Sequence, residues 1–250
     1  MKPIIFNQRV TVFTNSFIGY SDTRKDIIIS KLGNIGEVGV LQPNFVMVGP
    51  QQIISPNQIP LNAPWFVRYR DIRIEFQPNK IDIVSGLFIN TEEDEKKRVN
   101  ELTELLKGIN EAISIGSITR MAYSPSLGLE SVDDNSIAGY WNSIIGIPDL
   151  PNSYKQEKAI RYNAPCEQDL GMHQSLKINR VVTITEGQRT EAKTNPTNGK
   201  IENKTIECVI VSIDINTHGI DGNYSIDDVN AFCSKALTLE RELIAVINNK

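Results

Sequence analysis

Histidine is the scarcest chemistry-bearing residue in this chain. Only His173 and His218 occur in 250 residues, so there is no His-Glu-x-x-His helix and no histidine-rich metal cluster. Cysteine is nearly as rare. Cys166, Cys208 and Cys233 are odd in number and widely spaced, which argues against a disulfide framework and against a cysteine-rich zinc site. The expectation for all three is that of small buried apolar residues. Long apolar runs are missing as well. The longest, such as Ile27-Ile28-Ile29, fall far short of a membrane span. The opening "MKPIIFNQRVTVF" has neither an apolar core nor a small-residue cleavage site, so no secretory signal is expected there. A net charge of only −4 gives no general attraction for nucleic acid. No glycine-rich phosphate loop with lysine and no nucleophile elbow is present.

What is present is an ordinary globular composition, 40% hydrophobic and 22% charged. At this length a substantial core can form, in one large domain or two small ones. The alternation Arg9-Val10-Thr11-Val12-Phe13 predicts a strand. "SDTRKDIIISKLGNIG" begins with a cap, Ser21 or Asp22, and ends at Gly33 and Gly36. It reads as a short helix, although its three consecutive isoleucines equally suit a strand. Pro43, Pro50, Pro56, Pro60 and Pro64 then forbid a long helix, leaving short strands at 45–48 and 52–54. "IRIEFQPNKIDIVSG" is two alternating runs across a "PNK" turn, an antiparallel hairpin.

The first long helix starts at Thr91, which stands three residues before Asp94 in the capping-box spacing. Glu92, Glu93, Asp94 and Glu95 crowd its first turn and read as a solvated acidic start that suits the helix dipole. Val99, Leu102, Leu105, Leu106, Ile109 and Ile113 form one apolar stripe. A strand follows at "GSITRMAYSPSLGLE". A short helix carrying Ile137, Tyr140, Trp141 and Ile144 is then expected, and a polar connector at 149–158. Beyond it come strands at 159–162, 174–185 and 205–216, the second with a phase shift between Ile178 and Val181. "EGQRTEAKTNPTNGKIENK" has almost no large apolar residue and reads as a mobile hairpin tip. A second long helix follows Ser225 and Asp228, with Val229, Phe232, Cys233, Ala236, Leu243, Val246 and Ile247 on its stripe.

The plan of strand, turn and capped long helix therefore occurs twice, at 72–114 and 207–248. The expected fold is α+β: two antiparallel meanders, each packed by its own long helix, from a duplicated unit or from two uses of a common motif. The halves would divide at 1–148 and 149–250, as two units or as one continuous domain.

This order resembles a family of uncharacterised, sporadically distributed bacterial proteins of about 250 residues. The paired strands "RYRDIRIEFQPNKIDI", the first long helix, "ITRMAYSPS", and the ending "VIVSIDIN" with "IDDVNAFCSKALTLERELIAVI" carry the resemblance. Family members often have two arginines in the strand after the first helix. Here Arg120 and Tyr123 approximate that pattern and the second arginine is missing. The resemblance implies an α+β fold and an accessory role such as defence or regulation of a partner. It transfers no catalytic residue.

One stretch has ligand-like spacing. In "DINTHGIDGNYSIDD", Asp214, Asn216, His218 and Asp221 alternate as donors, and Asp221, Asn223, Ser225 and Asp227 approach the spacing of a calcium loop. The closing glutamate of such a loop is absent. Gly219 and Gly222 as a turn and Ser225 as a helix cap account for the same residues. Trp65, Phe66 and Tyr69, interleaved with Arg68 and Arg70, form a basic–aromatic strip that could stack single-stranded nucleic acid or start an ordinary strand. The reading is a non-catalytic binding or interaction protein of a bacterial cytoplasm, self-associating or holding a protein partner, with no cofactor. Two alternatives stand beside it: a metal-dependent enzyme with Asp214, His218 and His173 around its site, and a chaperone-like scaffold.

Overall fold

The computed structural model describes residues 2–33, 35–40, 63–130, 159–169, 175–194, 201–219 and 222–248. The expected strands at 45–48 and 52–54, the short helix around 137–144 and the connector at 149–158 lie outside them. The strands are β1 (Lys2–Thr14), β2 (Ile35–Val40), β3 (Trp65–Tyr69), β4 (Ile72–Gln77), β5 (Lys80–Ser85), β6 (Ile118–Glu130), β7 (Ala159–Asp169), β8 (Ser175–Thr194) and β9 (Ile201–Thr217). The helices are α1 (Asp22–Leu32), α2 (Glu92–Ile113) and α3 (Ile226–Asn248). No helix among the described residues is long and apolar enough to cross a membrane.

The α+β class holds, but the expected pair of separate meanders does not. The nine strands among the described residues join one antiparallel sheet in the order β2-β3-β4-β5-β1-β6-β9-β8-β7. The reason lies in β1. It is thirteen residues long and enters the middle of the sheet, pairing with β5 on one side and β6 on the other. β6 then pairs with β9 and carries the ladder into the second half. Neither long helix seals only its own meander. α2 packs on β1 and β5, α3 on β6 and β9, and the two helices touch each other, with α1 against α2.

Strand alternation aims one side of the sheet at these helices. Val10 and Val12 of β1, Ile81 and Ile83 of β5, and Ile74 and Phe76 of β4 are in register across that side and fully or nearly fully buried. Tyr123, Leu127 and Leu129 of β6 continue it, as do Val209, Val211, Ile213 and Ile215 of β9. Val99, Leu102, Leu105, Leu106 and Ile109 of α2 close it from above, each contributing roughly 1.5–3 kcal/mol in transfer terms. A register shift between Ile5 and Asn7 lets Ile5 and Gln8, three residues apart, both be buried.

The helix starts follow their caps. Ser21 Oγ accepts from the Arg24 N–H at 3.2 Å. Thr91 Oγ1 accepts from the Asp94 N–H at 3.1 Å. At α3 the box is reciprocal: Ser225 Oγ accepts from the Asp228 N–H at 3.2 Å, and Asp228 Oδ2 accepts from the Ser225 N–H at 2.7 Å. α1 ends at Gly33 with φ of 60° and ψ of 175°, a positive-φ conformation open essentially to glycine alone.

One local expectation is corrected and two open points are decided. The polar stretch at 186–204 is no loose tip over its described residues: β8 runs on to Thr194 and β9 begins at Ile201, paired throughout from Glu186↔Val209 to Thr194↔Ile201. Ladder bonds are made by backbone groups, so such a ribbon needs no apolar side chains. The phase shift between Ile178 and Val181 is not a bulge, because pairing of β8 with both neighbours is continuous through it. Arg180 simply takes the position between Ile178 and Val182. Of the two readings of the basic–aromatic strip, Trp65 takes that of an ordinary strand start buried on one face. It is completely buried, stacked on Phe76 at 4.2 Å between ring centroids, and its Nε1 donates to the Ile18 carbonyl at 3.2 Å. Cys208 and Cys233 are buried as expected, while Cys166 is only half-buried.

Candidate functional site

Polar side chains gather in two places, one on each side of the sheet. On the side away from the helices, Asp214 and Asn216 lie two residues apart on β9 and therefore share a face. Asp214 accepts from Ser124 Oγ at 3.2 Å and from Asn216 Nδ2 at 3.1 Å. Asn216 is buried, and its Oδ1 accepts from Arg120 Nη2 at 2.9 Å. Further along this face Thr11 Oγ1 donates to Asp82 Oδ1 at 2.5 Å, and Lys80 Nζ pairs with Asp82 Oδ2 at 2.7 Å. The Arg73 guanidinium stands 4.4 Å from the Phe66 ring centroid and pairs with Glu75 at 2.9 Å.

The ligand-like stretch is thus only partly gathered. Asp214 and Asn216 are together. His218 is exposed beyond the end of β9, where its backbone N–H donates to the Lys177 carbonyl at 2.7 Å. Asp221 and His173 lie outside the described residues. Asn223 accepts from Ser117, and Ser225 is occupied in capping α3. Among the described residues no group of three His, Cys, Asp or Glu side chains is placed to hold a metal ion.

The second gathering is under the helices, and sequence reasoning missed it. Glu95 belongs to the acidic first turn of α2 that was expected to be solvated. It is instead 3% exposed, because the helix meets both the sheet and α3 along that edge. Glu240 of α3 is entirely buried. Gln8 and Tyr123 project from β1 and β6 beneath them. Gln8 Nε2 donates to the Tyr123 hydroxyl at 3.0 Å, and the Tyr123 hydroxyl donates to Glu95 Oε1 at 3.4 Å. Arg241 caps the group: its Nη2 is 3.6 Å from Glu95 Oε2, its Nη1 is 3.3 Å from Glu92 Oε2, and Nη2 also donates to the Glu92 carbonyl at 3.2 Å.

Two carboxyls so close and so dry cannot both be charged. The Glu240 carboxyl faces the Tyr123 hydroxyl and the Glu95 carboxyl. Its hydrogen-bonding neighbour is Glu95, a contact between two carboxyls that requires a proton on one of them. Burial raises the Glu240 carboxyl well above the ordinary range, and the Glu95 charge raises it further. Burial also raises Glu95 above the ordinary range, but there the bond from Glu240 and the Arg241 guanidinium offset part of the rise. The proton therefore rests on Glu240, which donates to an ionised Glu95. Burial and the two carboxyls together push the Tyr123 phenol well above its usual value, so it stays a neutral donor.

Glu95 and Arg241 also form the polar end of a cleft of about 280 Å³ between the start of β1, the first turn of α2 and the last turns of α3. Ile5 and Ile89, joined by reciprocal backbone bonds of 3.0 and 2.8 Å, line it with Pro3, Ile244 and Ala245. A proton-sharing carboxyl pair behind an apolar cleft can store a proton, meet a cation, or both.

A sign of this group does exist in the sequence. Glu240 falls four residues after Ala236 and three before Leu243, squarely within the apolar stripe of α3. Gln8 alternates in phase with Val10 and Val12. A polar residue in the buried phase of two separate elements points to an internal polar group. Which elements meet there is tertiary information. No protein-family model matches the chain, and no curated protein matches it.

Proposed function

We propose that this chain is a non-catalytic binding protein that acts by protein–protein contact, self-associating through the far end of the β8–β9 ribbon. One observation carries the reading. Among the described residues β6 pairs with β9 no further than Cys208, and β7 pairs with β8 no further than Thr185. From Gln188↔Glu207 to Thr194↔Ile201 the two strands thus pair only with each other among the described residues. At about 3.3 Å per residue this is an arm of roughly 20 Å. A two-stranded ribbon alone is marginally stable in water, and it presents backbone donors and acceptors along both edges. Ile201 at its end is 70% exposed. A second copy supplies an identical edge, and two such edges are self-complementary about a two-fold axis. The family resemblance supports a bacterial cytoplasmic setting and an accessory role in regulation or defence.

The test removes 188–207 and joins Gly187 to Cys208 through an Asn-Gly turn. Light scattering after size exclusion is expected to give a dimer or larger assembly for the full chain and a monomer for the shortened one, with unchanged circular dichroism. A full chain that is monomeric at all concentrations up to 100 µM, or a shortened chain that assembles equally well, overturns the proposal.

A further inference from the structure

We propose that the cleft beside Glu95 binds a small organic cation, an ammonium or amidinium group carried on a short alkyl body. The shape comes first. At about 280 Å³ the cleft lies near the lower end of small-molecule sites, and like them it has mainly apolar walls with a few polar groups at one end. Ile5, Ile89 and Ile244 offer an alkyl chain the surroundings it prefers to water.

The polar end then selects the sign of the ligand. Glu92 and Glu95 face a single cation, Arg241, which leaves one unbalanced negative charge in the wall. Glu92 and Glu95 in the wall only accept hydrogen bonds, while Asn90, Thr91 and Arg241 can also donate. Glu95, almost wholly buried, is met by the Glu240 carboxyl, by the Tyr123 hydroxyl at 3.4 Å and by an Arg241 nitrogen at 3.6 Å, the last two at the long end of useful contact. Buried carboxyl oxygens ordinarily find partners, and an ammonium brings three donors. The positive end of the α2 dipole opposes a cation here, but Glu92, Glu93, Asp94 and Glu95 occupy that same turn and offset it.

A cation at Glu95 also changes the proton account. The charged and titratable groups in contact are Glu92 and Glu95 from α2, Glu240 and Arg241 from α3, and Tyr123 from β6. A positive charge at Glu95 favours ionisation of both carboxyls, so binding releases the proton that Glu240 holds. Affinity therefore rises with pH.

Calorimetry of the full chain with hexylammonium, hexanol and hexanoate tests this, since the three share one apolar body. Hexylammonium is expected to bind saturably and at least tenfold more tightly than either of the others. Its affinity should increase from pH 6 to pH 8, with heats that depend on buffer ionisation because a proton is released. Glu95→Gln should lower the affinity tenfold or more. Ala245→Phe, which fills the cleft from an exposed position without removing a charge, should abolish binding while leaving the fold intact. It decides the matter if Glu95→Gln fails to fold. Hexanoate binding as tightly as hexylammonium, no saturable binding by any of the three, or unchanged binding by Ala245→Phe overturns the proposal.

Discussion

Replacing Glu240 by glutamine isolates the shared proton. Glutamine has the size of a protonated glutamic acid and can donate to Glu95 just as the carboxyl does, but it cannot ionise. At low pH, where the wild-type residue is protonated in both folded and unfolded chains, the two proteins should be nearly equally stable. The difference grows as pH rises. In the unfolded chain Glu240 loses its proton near the ordinary value of 4.5, while in the folded chain burial and the Glu95 charge keep the proton on. Between those two values the folded state binds more protons than the unfolded state. Stability attributable to this group therefore falls with increasing pH, by about 1.4 kcal/mol per unit. It stops falling only above the raised folded value. Urea denaturation of both proteins at half-unit steps from pH 4.5 to 8 measures the difference directly. The advantage of Glu240→Gln over wild type should be near zero at the acid end and grow steadily toward neutrality. Groups that titrate identically in the two proteins cancel in the subtraction. A difference that stays flat across this range would refute the reasoning, because it would mean Glu240 titrates alike folded and unfolded.

Three further outcomes follow from the same structure. Tyr123→Phe removes the acceptor of Gln8 and a donor to Glu95 without opening a cavity, so it should cost about 1–3 kcal/mol in chemical denaturation. Trp65→Ala deletes a completely buried ring stacked on Phe76, and a loss of about 3–5 kcal/mol is expected, with chain expression or melting temperature as the first sign. Thr91→Ala and Ser225→Ala each remove a side-chain cap from a long helix. Each should cost about 0.5–2 kcal/mol, and the double variant should lose the sum unless the two helix starts are coupled through α2–α3 packing.

Much of the local structure was legible because it rests on short-range rules. The stripes of α2 and α3, the capping residues Ser21, Thr91 and Ser225, and the alternating runs around Ile74 and Ile213 each depend on neighbours within a few residues. Those elements appeared where the periodicity placed them. At 186–194 and 201–204, the described parts of the polar stretch, low apolar content does not mean lack of order. A ribbon held by backbone bonds leaves no such trace in side chains. Glu95 was misread for a related reason: an acidic first turn has the same composition whether solvent or another helix lies beside its fourth residue. Trp65 and Phe66, adjacent in the chain, face opposite sides of β3, and only the sheet reveals which side is filled.

By itself the sequence determined the α+β class, the two long helices, their starts and most of the strands, since periodicity and capping act over one or two turns of chain. Only the tertiary structure decided that β1 enters the centre of a single nine-stranded sheet. It also decided that Glu95, Glu240, Tyr123 and Gln8 converge from four separate elements. Backbone hydrogen bonding is indifferent to sequence distance, and burial of a charge depends on what packs against it, so neither could be read from any one segment.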